Sequence, residues 1–265
     1  MHLRLPVSCA LICLFVSVLP VASGCADLKA LRTEERLSRG LVLILPGSAG
    51  NGAKAVARGL NDGGVRYALV EDDWTTGIPL LWLLHMHGTS FQRRAAKRIA
   101  ERITKYQSEY PGRPVYLIGH SSGACVAVRT LEVLPRPSTV RDVILLGAAV
   151  SCTYDLSRAL RRVDGRLWNF YSRGDWIILG AGTTLTGNAD GRHGASAGAG
   201  GFEHPRNGTF EKRMLYAGRL REVEYTSDMA SSGHLGGHYG WTNRHFVRDY
   251  LAPILRGAFP PMSSR

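Results

Sequence analysis

Arg113-Pro114-Val115-Tyr116-Leu117-Ile118-Gly119-His120-Ser121-Ser122-Gly123-Ala124-Cys125-Val126-Ala127-Val128 is the stretch on which the reading of the fold turns. Residues 115–118 form an uninterrupted apolar run, the mark of a strand covered on both faces. Residues 124–128 continue as a run that suits a helix. Between them Gly119-His120-Ser121-Ser122-Gly123 fits G-x-S-x-G, the sharp strand-to-helix turn that lifts a serine hydroxyl clear of a sheet. The pattern alone carries little weight in a chain with 31 Gly, and it occurs twice. Gly194-Ala195-Ser196-Ala197-Gly198 has no strand before it and no helix after it, so Ser196 reads as a decoy and Ser121 as the candidate nucleophile.

Working outward, the apolar runs at 41–45 and 143–150 read as further strands, as do the segments 65–70, 167–171 and 222–225. Helical periodicity predicts helices over 54–60, 91–110, 156–163 and 242–255, the last kinked near Pro253. Strands that are apolar throughout and alternate with helices predict an α/β fold, a mostly parallel sheet flanked by helices on both faces. Residues 180–208, rich in Gly, Ala, Thr and Asn, read as a long loop.

A serine hydroxyl is a weak nucleophile until a base takes its proton, so an acid and a histidine must follow in the order Ser, Asp or Glu, His. Asp175 stands in a turn just beyond the strand at 167–171, at the carboxyl end of the sheet, where open α/β folds bind ligands. Asp155 is the alternative, whereas Asp164 precedes its strand and falls at the wrong end. For the base, His234 and His238 lie between the last strand and the closing helix. His238 is preferred because Gly237 and Gly240 free the backbone around it. The developing oxyanion needs N–H donors, for which the sequence offers Ser122 and, in the loop Pro46-Gly47-Ser48-Ala49-Gly50, Ser48. Trp74 and residues 75–90, with the 180–208 loop, are expected to wall the pocket. His85 and His87 read as loop residues, and Cys125 and Cys152 as small buried side chains.

Gly50-Asn51-Gly52-Ala53-Lys54-Ala55 with Glu71 raises a dinucleotide-binding alternative, in the wrong register because four residues separate the strand from the first Gly. H-E-x-x-H is absent, and no metal or other cofactor is expected. The body of the chain resembles an α/β-hydrolase: loop Gly47-Ser48, elbow Gly119–Gly123, acid Asp175 and base His238 stand where that family carries them. The resemblance implies a serine hydrolase of carboxylic esters, of the esterase and lipase kind, without a large cap domain and acting through an acyl-enzyme. A non-catalytic binding protein on the same fold is the other reading.

The chain has 265 residues, 45% hydrophobic and 20% charged, which suits one globular core. Residues 1–24, a basic head and an apolar run, read as a signal peptide, and 25–40 as a polar tether before a domain at 41–265. Ala22-Ser23-Gly24-Cys25 resembles the cleavage site of bacterial lipoproteins, which implies lipidation at Cys25 and an exported protein anchored to a bacterial membrane of the cell envelope. The formal charge of +12 suits anionic head groups. The basic residues are scattered, with no aromatic-interleaved strip, which argues against nucleic acid.

Overall fold

The computed structural model describes residues 29–50, 52–78, 81, 85, 87–175, 187–205 and 207–258. The expected signal peptide, Cys25 and part of the 180–208 loop lie outside these residues. Six strands, β1 (Leu41–Leu45), β2 (Ala68–Glu71), β3 (Val115–His120), β4 (Asp142–Leu146), β5 (Leu167–Tyr171) and β6 (Leu220–Glu224), form one sheet in the order β2-β1-β3-β4-β5-β6. Every pairing is parallel, with Leu45 opposite Gly119 and His120 opposite Leu146, so the carboxyl ends of the central strands lie side by side. The fold is α/β, as predicted.

Both faces of the sheet are covered at its centre, where β1 is apolar at every position. Leu41, Leu43 and Leu45 of β1 face one core with Ala95, Ile99 and Ile103 of α2 (Thr89–Glu109) and the small side chains of α3 (Ser122–Val133). Val42 and Ile44 face the other, with Val56 and Leu60 of α1 (Ala53–Asp62) and Phe246, Val247 and Leu251 of the closing helix. Each large aliphatic side chain removed from water contributes about 1.5–3 kcal/mol, which makes this alternation the main determinant of the layering.

Several boundaries differ from the sequence reading. Val65 closes the turn after α1 through Val65 N–H to Leu60 O, so β2 begins only at Ala68. β4 stops at Leu146 because Gly147 takes φ +51°, and residues 148–150 instead pair with the segment around Ala189 and Ala197. Helix α4 (Phe210–Arg219) was not expected at all. The closing helix begins at Arg244–Phe246, widens into a π turn over Val247–Leu251 and ends as Ala252–Leu255. The π turn ends two residues before Pro253, whose missing N–H cannot serve the preceding turn.

The tether is a further correction in its described part. Leu31 is buried, and Arg36 donates to Val65 O, Tyr67 O and Asn61 Oδ1 at 3.2, 3.1 and 2.7 Å. Tyr106 Oη–H donates to Leu37 O at 2.6 Å. Residues 29–40 are thus docked at the β2 edge, held by carbonyls that the end of α1 and the start of β2 leave free.

Candidate active site

Ser121 sits between β3 and α3 with φ 55° and ψ −123°, the one non-glycine residue of positive φ among those described. Such a backbone costs about 1–3 kcal/mol and persists only where the surroundings fix it. Here Ser121 N–H donates to Leu146 O at 2.9 Å, while Ala124 N–H and Ala149 N–H both donate to Ser121 O at 3.1 Å. Gly119 and Gly123 allow the close approach. A Cβ on Gly119 would lie 2.7 Å from Ala124 Cα, and one on Gly123 would lie 2.5 Å from Leu45 O. Ser196, by contrast, is fully buried in relaxed extended backbone at φ −94°, at the start of the single turn Ala197–Gly200.

His238 opens the 3₁₀ turn His238–Thr242, and Asp175 closes the 3₁₀ turn Arg173–Asp175 beyond β5. Both are buried, and His238 Nδ1–H donates to Asp175 Oδ2 at 2.7 Å, which leaves Nε2 as the basic nitrogen. Burial raises the Asp175 carboxyl above its usual range, and the hydrogen bond from His238 opposes that rise. The two turns are joined by Ser172, whose hydroxyl donates to Gly236 O at 2.7 Å. Gly147 lies beneath the ring; a Cβ there would come 3.1 Å from His238 Nδ1.

His120 ties this pair to the elbow. Its Nε2 lies 3.3 Å from His238 O and its ring centroid 4.7 Å from that of His238. Burial pushes its pKa down to about 3, so it stays neutral beside the His238 ring. The Ser121 hydroxyl makes no hydrogen bond to His238 among the described residues.

The other sequence candidates are engaged elsewhere in the fold. His234 is fully buried in an aromatic cluster, 3.9 Å from the Trp241 ring centroid and 5.1 Å from that of Phe246. Its Nδ1 accepts from Gly236 N–H at 2.9 Å, and burial lowers its pKa to about 4. Asp155 accepts from the Ser157 N–H and hydroxyl and from Lys212 Nζ at 2.9, 2.6 and 2.9 Å, just before the turn Ser157–Leu160. Asp164 accepts from the Thr139 hydroxyl, at the far end of the sheet. The dinucleotide alternative also fails. Thr242 packs on Gly52 at the N-terminus of α1, where a pyrophosphate would have to rest, since a Cβ on Gly52 would lie 2.9 Å from Thr242 Cγ2.

Loop 46–50 leaves β1 beside the elbow, at the β1/β3 position where the strand order reverses. A Cβ on Gly47 would come 3.2 Å from Ser121 Cβ. Ser122 is the first residue of α3, so its N–H has no helical partner. Its hydroxyl is buried and unpartnered among the described residues. Trp74, expected in the pocket wall, is instead fully buried under this loop. Residues 187–201 do lie beside the site, with Ala189 N–H donating to Ala149 O and Gly198 N–H to Ala148 O, both at 2.9 Å. Among the described residues no group of three or more His, Cys, Asp or Glu could hold a metal ion.

Residues 82–180, which include Ser121 and Asp175 but not His238, match a family described as a protein of unknown function, DUF726. No curated protein matches the sequence. A candidate hydrolase of the alpha/beta superfamily from Xanthomonas campestris pv. campestris is 17% identical, over 83% of this chain and 99% of that one, with a TM-score of 0.45. The esterase domain of a Rhodothermus marinus protein is also 17% identical, over 85% and 88%, with a TM-score of 0.44. A cutinase-like protein from Cryptococcus sp. is 15% identical, over 83% and 96%, with a TM-score of 0.40. At this level of likeness the fold assignment rests on the parallel sheet itself.

Proposed function

We propose that the protein is a serine hydrolase of carboxylic esters. The observation that carries this reading is the strained backbone of Ser121 at a strand-to-helix elbow, on the sheet end that also holds the buried His238–Asp175 pair. In this reading Ser121 Oγ attacks the ester carbonyl and His238 Nε2 takes its proton. Asp175 holds the imidazole in the required tautomer and stabilises its charge. The carbonyl oxygen, now an oxyanion, receives N–H donors from Ser122 and from Ser48. His238 then returns the proton to the departing alcohol, and water resolves the acyl-enzyme by the same steps in reverse order.

Labelling with a fluorophosphonate tests the reading. Wild type and Ser196→Ala label, whereas Ser121→Ala does not. An intact fold that neither labels nor turns over short-chain esters would instead identify a binding protein on this fold. Labelling that survives Ser121→Ala would overturn the assignment of the nucleophile.

A further inference from the structure

The loop that adjoins Ser121 has little scaffolding of its own. One turn bond, Gly50 N–H to Gly47 O at 2.8 Å, closes it. Two more of its carbonyls, those of Pro46 and Ser48, are tied from outside. Trp74 Nε1–H donates to Pro46 O at 2.7 Å, and His85 Nδ1 lies 3.0 Å from Ser48 O. The second nitrogen of His85, Nε2, sits 3.1 Å from Thr76 N and 2.9 Å from the Thr76 hydroxyl. A backbone N–H can only donate, so Nε2 is the bare acceptor and Nδ1 carries the proton. His85 therefore donates to Ser48 O, and both of its ring nitrogens are committed.

The histidine is itself held on every side. Its ring is fully buried, with centroids 6.0 Å from Trp74 and 5.4 Å from Phe91. Gln92 Nε2–H donates to His85 O at 2.8 Å, and Arg129 Nη1–H donates to Gln92 Oε1 at 2.7 Å. Arg129 lies on α3, the helix that starts at Ser122. One chain of hydrogen bonds thus runs from the elbow helix through Arg129, Gln92 and His85 to the loop on the other side of the nucleophile.

In a trans peptide the C=O and the N–H point in opposite directions. Tying the carbonyls of Gly47 and Ser48 into the protein turns the N–H groups of Ser48 and Ala49 the other way, and neither has a partner among the described residues. We propose that His85 is a positioning residue for the oxyanion loop: its Nδ1–H fixes the Ser48–Ala49 peptide plane directly and the Gly47–Ser48 plane through the turn. The proposal rests on the serine hydrolase reading. A histidine that merely braced a loop would affect stability and leave the chemistry of each folded molecule unchanged.

The test compares wild type with His85→Ala, His85→Asn and His85→Gln on a soluble short-chain ester, with rates normalised to sites titrated by a fluorophosphonate. Asparagine places an amide N–H near the position of Nδ1; glutamine reaches toward Nε2 and leaves Ser48 O without its donor. Alanine is expected to lower kcat by about 10- to 100-fold with KM changed less than about threefold, the signature of an interaction used in the transition state. Binding of a trifluoromethyl ketone, which forms a tetrahedral oxyanion on serine, should weaken by the same factor. Asparagine should restore most of both, and glutamine should not. Unchanged kcat per titrated site in His85→Ala, or a loss confined to KM, overturns the proposal. If the alanine variant does not fold, equal kcat in the asparagine and glutamine variants overturns it. A wild type that neither labels nor turns over ester overturns the hydrolase reading on which it rests, whereas an active wild type with unaffected variants overturns only the role of His85.

Discussion

Ser121, His234 and His238 show how much of a residue's role is set by its surroundings. The two histidines are four apart and flanked alike by glycine, yet one meets Asp175 and the other is enclosed by Tyr225, Trp241 and Phe246. If His238 is the base, as proposed, His238→Ala should lower kcat by roughly 10⁶-fold with the fold intact, because only the catalysis supplied by the oxyanion donors and substrate binding would remain. His234→Ala should leave kcat per titrated site nearly unchanged and cost about 2–4 kcal/mol in urea unfolding, because it opens a cavity in an aromatic cluster. Comparable kcat losses in both variants would move the base out of its assigned position. His120 also acquires a role that the sequence alone did not carry, as the neutral link between the elbow and the loop bearing His238.

At the scale of elements, the central strands were legible because a doubly covered strand is apolar along its length, as β1 is throughout and β3 is over residues 115–118. Helix α4 was not legible, because only Tyr216 is buried, while Phe210 and Met214 face solvent and break the expected stripe. Its surviving signals are local ones: Thr209 as an N-cap accepting from Lys212 N–H, Glu211 in the first turn and Arg219 in the last. Residues 29–40 misled in the other direction, since a polar composition there conceals three hydrogen bonds from one guanidinium. Arg36→Ala should destabilise the protein by about 1–3 kcal/mol through the loss of those bonds, with catalysis per folded molecule unchanged. A chemical denaturation midpoint equal to that of wild type would contradict the docked arrangement.

At the scale of the whole molecule, Glu222 links β6 to β5 and to the segment beside the site. It accepts from Asn169 Nδ2 at 2.7 Å and from Phe202 N–H at 2.9 Å. Burial raises its pKa from 4.5 to about 7, and these two donors only partly oppose the rise. Between those values the folded state holds a proton that the unfolded state has lost, so this group's contribution to stability is full below about pH 4.5 and falls as pH rises to about 7. Relative to Glu222→Gln, wild type should lose up to about 3 kcal/mol across that window, whatever constant offset the amide introduces. Unfolding free energies of the two proteins that keep a fixed difference from pH 4.5 to 7 would refute this.

The sequence by itself determined the parallel α/β sheet and the elbow around Ser121, because both depend on neighbours in the chain: apolar runs for the strands, small residues at 119 and 123 for the turn. Only the tertiary structure decided which carboxylate meets which histidine, since Asp175 and His238 are 63 positions apart and are paired by the order of the strands. The same holds for His85 and Ser48, 37 positions apart, whose partnership no local pattern encodes. A periodic run announces the covalent neighbours that create it. A hydrogen bond between loops depends on where the whole sheet places them.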